Sequence, residues 1–164
     1  MTDDNIDSGR SIDTTTEERN VTVTRVIDAS PERLYEAFTD PDEMAAWFPP
    51  TGFSADVHRF EPEVGGEFRL TFTADADDIE PNSHTFGGTF LELEPSERIV
   101  YTDQFESDDP GMAGEMTVTV TFEAAPDGTE VTVHQESIPE AIPVDDARAG
   151  LTDSLGNLAN LVEN

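Results

Sequence analysis

Residues 21–50 constrain the fold of this chain more than any other part of its sequence. Valine and isoleucine alternate with threonine in VTVTRVI, which is the period-2 pattern of a half-buried strand. Ser30 and Pro31 end that strand, because proline has no N–H to give to a ladder and serine caps a helix that opens with proline. The sequence therefore predicts a helix that begins at Pro31 and ends at Asp40, and then a shorter helix that ends at the next Pro-Pro pair.

The remainder of the chain predicts an antiparallel sheet closed by a long helix. Apolar residues alternate with threonine over residues 116–122, and an Asp-Gly turn then leads into a partner strand. From Val144 onward apolar residues recur every three or four positions, as on the inner face of a helix. The predicted fold class is α+β, a curved antiparallel sheet of about six to seven strands with two short helices and a long C-terminal helix. Earlier strands are predicted over residues 53–58, 68–72, 84–94 and 99–105, with a hairpin loop over residues 74–83.

The length of the chain, 164 residues, suits one domain with a single hydrophobic core. Residues 1–19 are rich in aspartate, serine, threonine and glutamate, with only isolated isoleucines. Such a segment cannot bury enough apolar surface to repay its ordering, so a flexible acidic tail is expected there. Residues 20–164 are expected to form the folded domain.

The charge of the chain excludes several classes of function. It has 37 acidic residues against eight arginines and no lysine, and its formal net charge is −29. No basic patch exists to neutralise phosphates, so nucleic acids and anionic membranes are not expected partners. A surface of this kind repels itself at low ionic strength and much less at high salt, which predicts an acidic, halophilic protein of a salt-rich cytosol. An acidic face for a basic partner is the alternative.

Other features of the composition bear on location and chemistry. No apolar run reaches the length of a membrane span, and the N-terminus is acidic, so a cytoplasmic protein is expected. The chain has no cysteine, which excludes disulfides and thiolate catalysis. Its three histidines, His58, His84 and His134, are not spaced as metal ligands, and neither a metal nor a cofactor is expected.

A series of short motifs runs from the first predicted strand to the last helix. They are Thr24-Arg25, Ala29, Pro31, Tyr35, Ala37, Thr39-Asp40-Pro41, Trp47, Pro49, Val64-Gly65-Gly66, Phe68, Gly88, Leu93-Glu94-Pro95 and residues 97–101. In type, order and spacing these motifs resemble the homologues of the activator of a heat-shock-protein ATPase, a family of the START-like, birch-allergen-like (SRPBCC) superfamily. Two positions depart from the family pattern: Ser30 replaces a proline, and Leu151 stands where a tryptophan usually follows the glycine.

The resemblance implies a helix-grip fold, in which the long helix crosses the concave face of the sheet. Folds of this class commonly hold a small hydrophobic molecule between helix and sheet. The residues expected to contact such a ligand are seven apolar or aromatic side chains and one polar one: Trp47, Phe53, Phe86, Tyr101, Met116, Leu151, Leu155 and Arg25. Glu67 and Arg69 are further polar candidates, and the same aromatic residues could instead form an ordinary core.

The leading functional hypothesis is a binding module for a hydrophobic small molecule, a monomer or homodimer without a catalytic centre. One alternative, implied by the family name, is a stress-response partner of a chaperone ATPase. The other is a cyclase- or hydrolase-like enzyme that uses the same cavity, although no acid and base can be paired from the sequence.

Overall fold

The computed structural model describes residues 19–75, 83–107, 109–112 and 114–163. The predicted tail therefore lies outside the described residues except for Arg19, as does most of the predicted loop over residues 74–83. Within the described ranges the chain forms β1 (Val21–Ile27), α1 (Pro31–Thr39), α2 (Pro41–Trp47), β2 (Phe53–Phe60), β3 (Glu67–Ala74), β4 (Ser83–Glu94), β5 (Arg98–Phe105), a 3₁₀ turn (Pro110–Met112), β6 (Met116–Ala125), β7 (Gly128–Glu136) and α3 (Val144–Val162).

Polar side chains fix the starts of the two short helices. The Ser30 hydroxyl accepts a hydrogen bond from the backbone N–H of Arg33 at 3.1 Å, and Pro31 occupies the first turn. The Asp40 carboxylate ends α1 and caps α2, accepting from the N–H groups of Asp42 at 2.9 Å and Glu43 at 3.2 Å. Both caps satisfy helix N–H groups that have no partner within the helix. The predicted start of α1 is confirmed.

The seven strands form one sheet in the order β1-β7-β6-β5-β4-β3-β2, and all neighbours are antiparallel. The ladder between β4 and β5 is interrupted between the pairs Gly87 with Gln104 and Phe90 with Tyr101. In that gap the Thr89 N–H donates to the hydroxyl of Thr102 at 3.0 Å instead of to a backbone carbonyl. The sheet curls as a half-barrel, so the predicted fold class is confirmed.

Helix α3 packs into the curled sheet through Leu151, Leu155, Leu158 and Ala159, which are all buried in the core. Polar bonds also tie it to the segment that follows α2. Ser154 donates to the carbonyl of Phe48 at 2.8 Å, and Asp153 accepts from the N–H and hydroxyl of Thr51 at 2.8 and 3.0 Å.

The guanidinium of Arg19 holds the connection from β7 to α3. It donates to the carbonyl of Ile138 at 3.1 Å and also to the carbonyls of Pro139 and Ile142. These carbonyls belong to a proline-rich segment that has no ladder of its own, so one side chain satisfies several of its acceptors. Within the described residues, no helix combines the length and the hydropathy that crossing a bilayer requires.

Candidate functional site

Aromatic rings cover the concave face of β3, β4 and β5, because alternate residues of each strand point toward the helices. Neighbouring centroids lie 4.7 Å apart for Phe72 and Phe86, 5.4 Å for Phe68 and Tyr101, and 6.0 Å for Phe86 and Phe105. We call these rings, together with those of Phe48 and Phe90 that contact them, the inner aromatic cluster: Phe48, Phe68, Phe72, Phe86, Phe90, Tyr101 and Phe105. They give the interior beside α1 and α2 an almost wholly apolar lining.

Six of the eight residues expected at the ligand lie together in one buried core. They are Trp47, Phe86, Tyr101, Met116, Leu151 and Leu155. The indole N–H of Trp47 donates to the carbonyl of Ala37 at 3.0 Å, and this bond fixes the ring against α1.

The other two predicted residues lie apart from that core. Arg25 is exposed on β1, and Phe53 is half-buried on β2, with its ring 6.3 Å from that of His84. The further polar candidates Glu67 and Arg69 are exposed. Arg69 forms a bidentate ion pair in which its Nε and Nη2 atoms donate to the carboxylate of Glu106 at 2.7 and 3.0 Å.

Asp103 was not predicted as a site residue from the sequence, and it places a carboxyl group on the concave face. Asp103 is only 7% exposed, and its Oδ1 atom has no hydrogen-bond partner among the described residues. Asp103 lies opposite buried Met116 on β6. It points to the same face of β5 as Tyr101 and Phe105, which are two positions before and after it. That shared parity, in a strand with apolar residues at the same face, is the feature of the sequence that could have identified it.

Burial changes the acidity of both titratable groups at this position. Desolvation raises the pKa of Asp103 to about 7, and the N–H of Gln104 opposes this shift. Desolvation also raises the pKa of the Tyr101 hydroxyl, and the nearby charge of Asp103 raises it further. Tyr101 therefore stays protonated at physiological pH, whereas Asp103 can change its charge there.

Within the described residues, the cavity found in the aromatic interior is small. A cavity of about 10 Å³ lies among Phe38, Met44, Phe48, Phe60, Phe68, Phe90, Ile99 and Tyr101. That volume holds at most about one water molecule. A larger ligand in this cavity therefore needs the side chains that line it to move.

A second depression, of about 500 Å³, lies on the outer face of the sheet over β3, β4 and β5. Its lining has charges of both signs, including Arg59, Glu67 and Arg69, and these three already take part in exposed ion pairs. Within the described residues, no three His, Asp or Glu side chains are grouped so as to hold a metal ion.

A curled seven-stranded antiparallel sheet wrapped around a long C-terminal helix, with an aromatic interior, defines the helix-grip class of domains. Within that class, the sequence profile described as Activator of Hsp90 ATPase homolog 1-like protein matches residues 28–163. The chain belongs to this family.

Solved structures agree with this assignment. A protein from Chromobacterium violaceum is 42% identical, with a TM-score of 0.83, and the match covers 90% of this chain and 99% of that chain. The AHSA1-like protein from Aeromonas hydrophila is 24% identical, with a TM-score of 0.70 and coverages of 88% and 92%. A protein from Mesorhizobium loti is 25% identical, with a TM-score of 0.66 and coverages of 88% and 96%. Among curated proteins, none is similar enough to this chain to count as a match.

Proposed function

We propose that this protein is a small-molecule binding module whose ligand occupies the inner aromatic cluster beneath α3. The proposal rests mainly on Asp103, a buried carboxyl whose Oδ1 atom has no hydrogen-bond partner among the described residues. Packing alone gives no reason for a carboxyl there, because a buried polar group without a partner costs free energy. A mostly apolar site with a few polar groups is, by contrast, the usual composition of a ligand pocket.

The small volume of this cavity sets a condition on binding. Because the cavity of about 10 Å³ is too small for an organic molecule, the ligand must displace side chains that now fill the space. Phe48, Phe72 and Phe105 are half-buried and lie at one end of the cluster, so we place the entry there. The bond from Ser154 to Phe48 joins α3 to this end, so a movement of the Phe48 segment can be coupled to the helix.

A neutral fluorophore, N-phenyl-1-naphthylamine, tests the proposal. Trp47 is the single tryptophan of the chain and lies in the same core, so energy transfer from Trp47 to the bound probe reports occupancy of this site. We expect saturable transfer in about 2 M potassium chloride, where the surface charge is screened. Phe105→Leu should weaken binding several-fold because it removes one ring of the cluster.

Val64→Ser is the matched control. Val64 is 67% exposed, so this variant tests for non-specific binding of the probe to apolar groups on the surface. It should leave the affinity unchanged. Loss of binding in this control would place the probe on the surface. Absence of transfer with the probe, together with no change in melting temperature on addition of a panel of lipids, would contradict the binding module itself.

The family description suggests a second candidate, a partner of a chaperone ATPase. This candidate predicts stimulation of ATP hydrolysis by a chaperone of the Hsp90 class. Such a docking function would use exposed residues, so replacement of buried Asp103 should leave the stimulation unchanged.

A further inference from the structure

We propose that the ligand is a monoamine, an aromatic or aliphatic body that carries one protonated nitrogen and no acidic group, with the nitrogen bound by Asp103. The inference deepens the proposed function and rests on it, because it assigns the chemistry of the molecule that the concave face would hold.

The first step is the state of the Asp103 carboxyl. Its Oδ1 atom is buried and has no partner among the described residues, although a carboxylate oxygen can accept two hydrogen bonds. Leaving such a group unpaired is more costly than leaving any neutral polar group unpaired. A ligand that brings an N–H donor removes that cost, and a charged donor does so most effectively.

The second step is that no described residue supplies the missing cation. The chain has no lysine. Among the described arginines, Arg25 is exposed, and the others bind backbone carbonyls or surface carboxylates: Arg19, Arg33, Arg59, Arg69, Arg98 and Arg148.

The histidines are also placed elsewhere. His58 bonds to Thr71 at 2.8 Å and His134 to Thr22 at 2.6 Å, while His84 lies beside the ring of Phe53. Tyr101 is the titratable neighbour whose pKa responds to the charge of Asp103, and it is neutral at physiological pH. The carboxyl therefore has no counter-ion within the part of the chain that the structure describes.

The third step concerns the remainder of the ligand. The rings of the inner aromatic cluster lie on the same concave face as Asp103, and an aromatic ring attracts a cation that lies within about 6 Å of its face. The net charge of −29 raises the local concentration of cations around the protein and opposes the entry of anions. A ligand with an apolar body and a cationic end suits both the aromatic lining and the negative electrostatic potential of the protein. A fatty acid suits only the aromatic lining.

Three probes that share a phenylalkyl group and differ in their terminal functional group test this inference: phenylbutylamine, phenylbutanol and phenylbutyrate. Each is used to displace N-phenyl-1-naphthylamine. We expect the amine to bind at least about tenfold more tightly than the alcohol, and the carboxylate to bind more weakly than either. Asp103→Asn should remove the preference for the amine and keep binding of the neutral fluorophore. Asp127→Asn makes the same substitution in the exposed turn between β6 and β7 and should keep the preference.

A measurement on the unmodified protein keeps the inference testable if Asp103→Asn does not fold. Because the pKa of Asp103 is about 7, roughly half of the carboxyls carry a proton at that pH, and pairing with an ammonium should release it to the buffer. Calorimetry in two buffers of different ionisation enthalpy should show about half a proton released per amine bound and none per alcohol.

The outcomes separate the two proposals. Equal displacement by the amine and the alcohol, without proton release, would overturn the monoamine while the binding module stands. If the fluorophore shows no transfer and calorimetry detects no binding of the amine or the alcohol, the binding module itself fails.

Discussion

Asp103 ionises less readily in the folded protein than in the unfolded chain, because burial raises its pKa from 3.8 to about 7. The folded state therefore holds this proton more tightly than the unfolded state. A raised carboxyl pKa contributes stability that is complete below about pH 3.8 and is lost as the pH rises through about 7. At about 1.4 kcal/mol for each pH unit, the interval corresponds to roughly 4 kcal/mol.

We expect Asp103→Asn to unfold with nearly the same free energy as the wild type below about pH 4, and to be more stable by roughly 4 kcal/mol above about pH 8. Asparagine keeps the shape of the protonated carboxyl but cannot ionise. Urea unfolding at constant high salt measures the difference between the two proteins, which removes the titration of the many surface carboxylates that both share. A difference that is constant across the pH range would show that Asp103 is ionised equally in the folded and unfolded states.

Helix α3 contains two glycines away from its ends, Gly150 and Gly156, and a Cβ at either position would meet no atom within 4 Å. Glycine in a helix interior costs about 0.5–1 kcal/mol relative to alanine, because it loses more backbone freedom on folding. Helix α3 is therefore less stable than its apolar face alone would make it.

We expect Gly156→Ala to stabilise the protein by about 0.5–1 kcal/mol. Gly65→Ala is the matched control, because a Cβ there also meets open space but the backbone has φ +85°. The same substitution should destabilise the protein there by about 1 kcal/mol, since alanine is strained in the left-handed region. Thermal unfolding measures both. Equal shifts in the two variants would mean that backbone conformation does not determine the outcome.

Helix caps, alternation and turn residues in the sequence predict most of the helices and strands, but less of the candidate site. The start of α1 follows from Ser30-Pro31, and the limits of the strands follow from alternation and turn residues. The interruption between β4 and β5 could not be predicted, because it depends on which residues of two strands face each other, such as Thr89 and Thr102.

For the site, period-2 alternation and the resemblance together were enough to find six buried residues of one core. They missed Asp103, whose role depends on the desolvation that only packing supplies, and which looks ordinary in a chain with 37 acidic residues. The volume of the interior cavity could not be predicted from the sequence either, because the way in which side chains fill a curled sheet depends on their joint packing.

The charge of the whole molecule acts on its stability through repulsion between carboxylates. Glu123 and Glu130 face each other directly across β6 and β7, and like charges at such positions are destabilising. Salt screens this repulsion, and the same salt also weakens the exposed pairs such as Arg69 with Glu106. Exposed pairs contribute only about 0–1 kcal/mol each, so loss of the repulsion is the larger effect at a net charge of −29.

The melting temperature is therefore expected to rise between about 0.1 M and 2 M potassium chloride, as the screening length falls from about 10 Å to less than 3 Å. Glu123→Gln should stabilise the protein by about 0.2–1 kcal/mol in low salt and have almost no effect in high salt. Glu94→Gln is the control, because exposed Glu94 faces Arg98 rather than another acid, and it should give no gain in low salt. Equal melting at the two salt concentrations would contradict the halophilic interpretation. A gain from Glu123→Gln that persists in high salt would show that this contact acts through packing instead of charge.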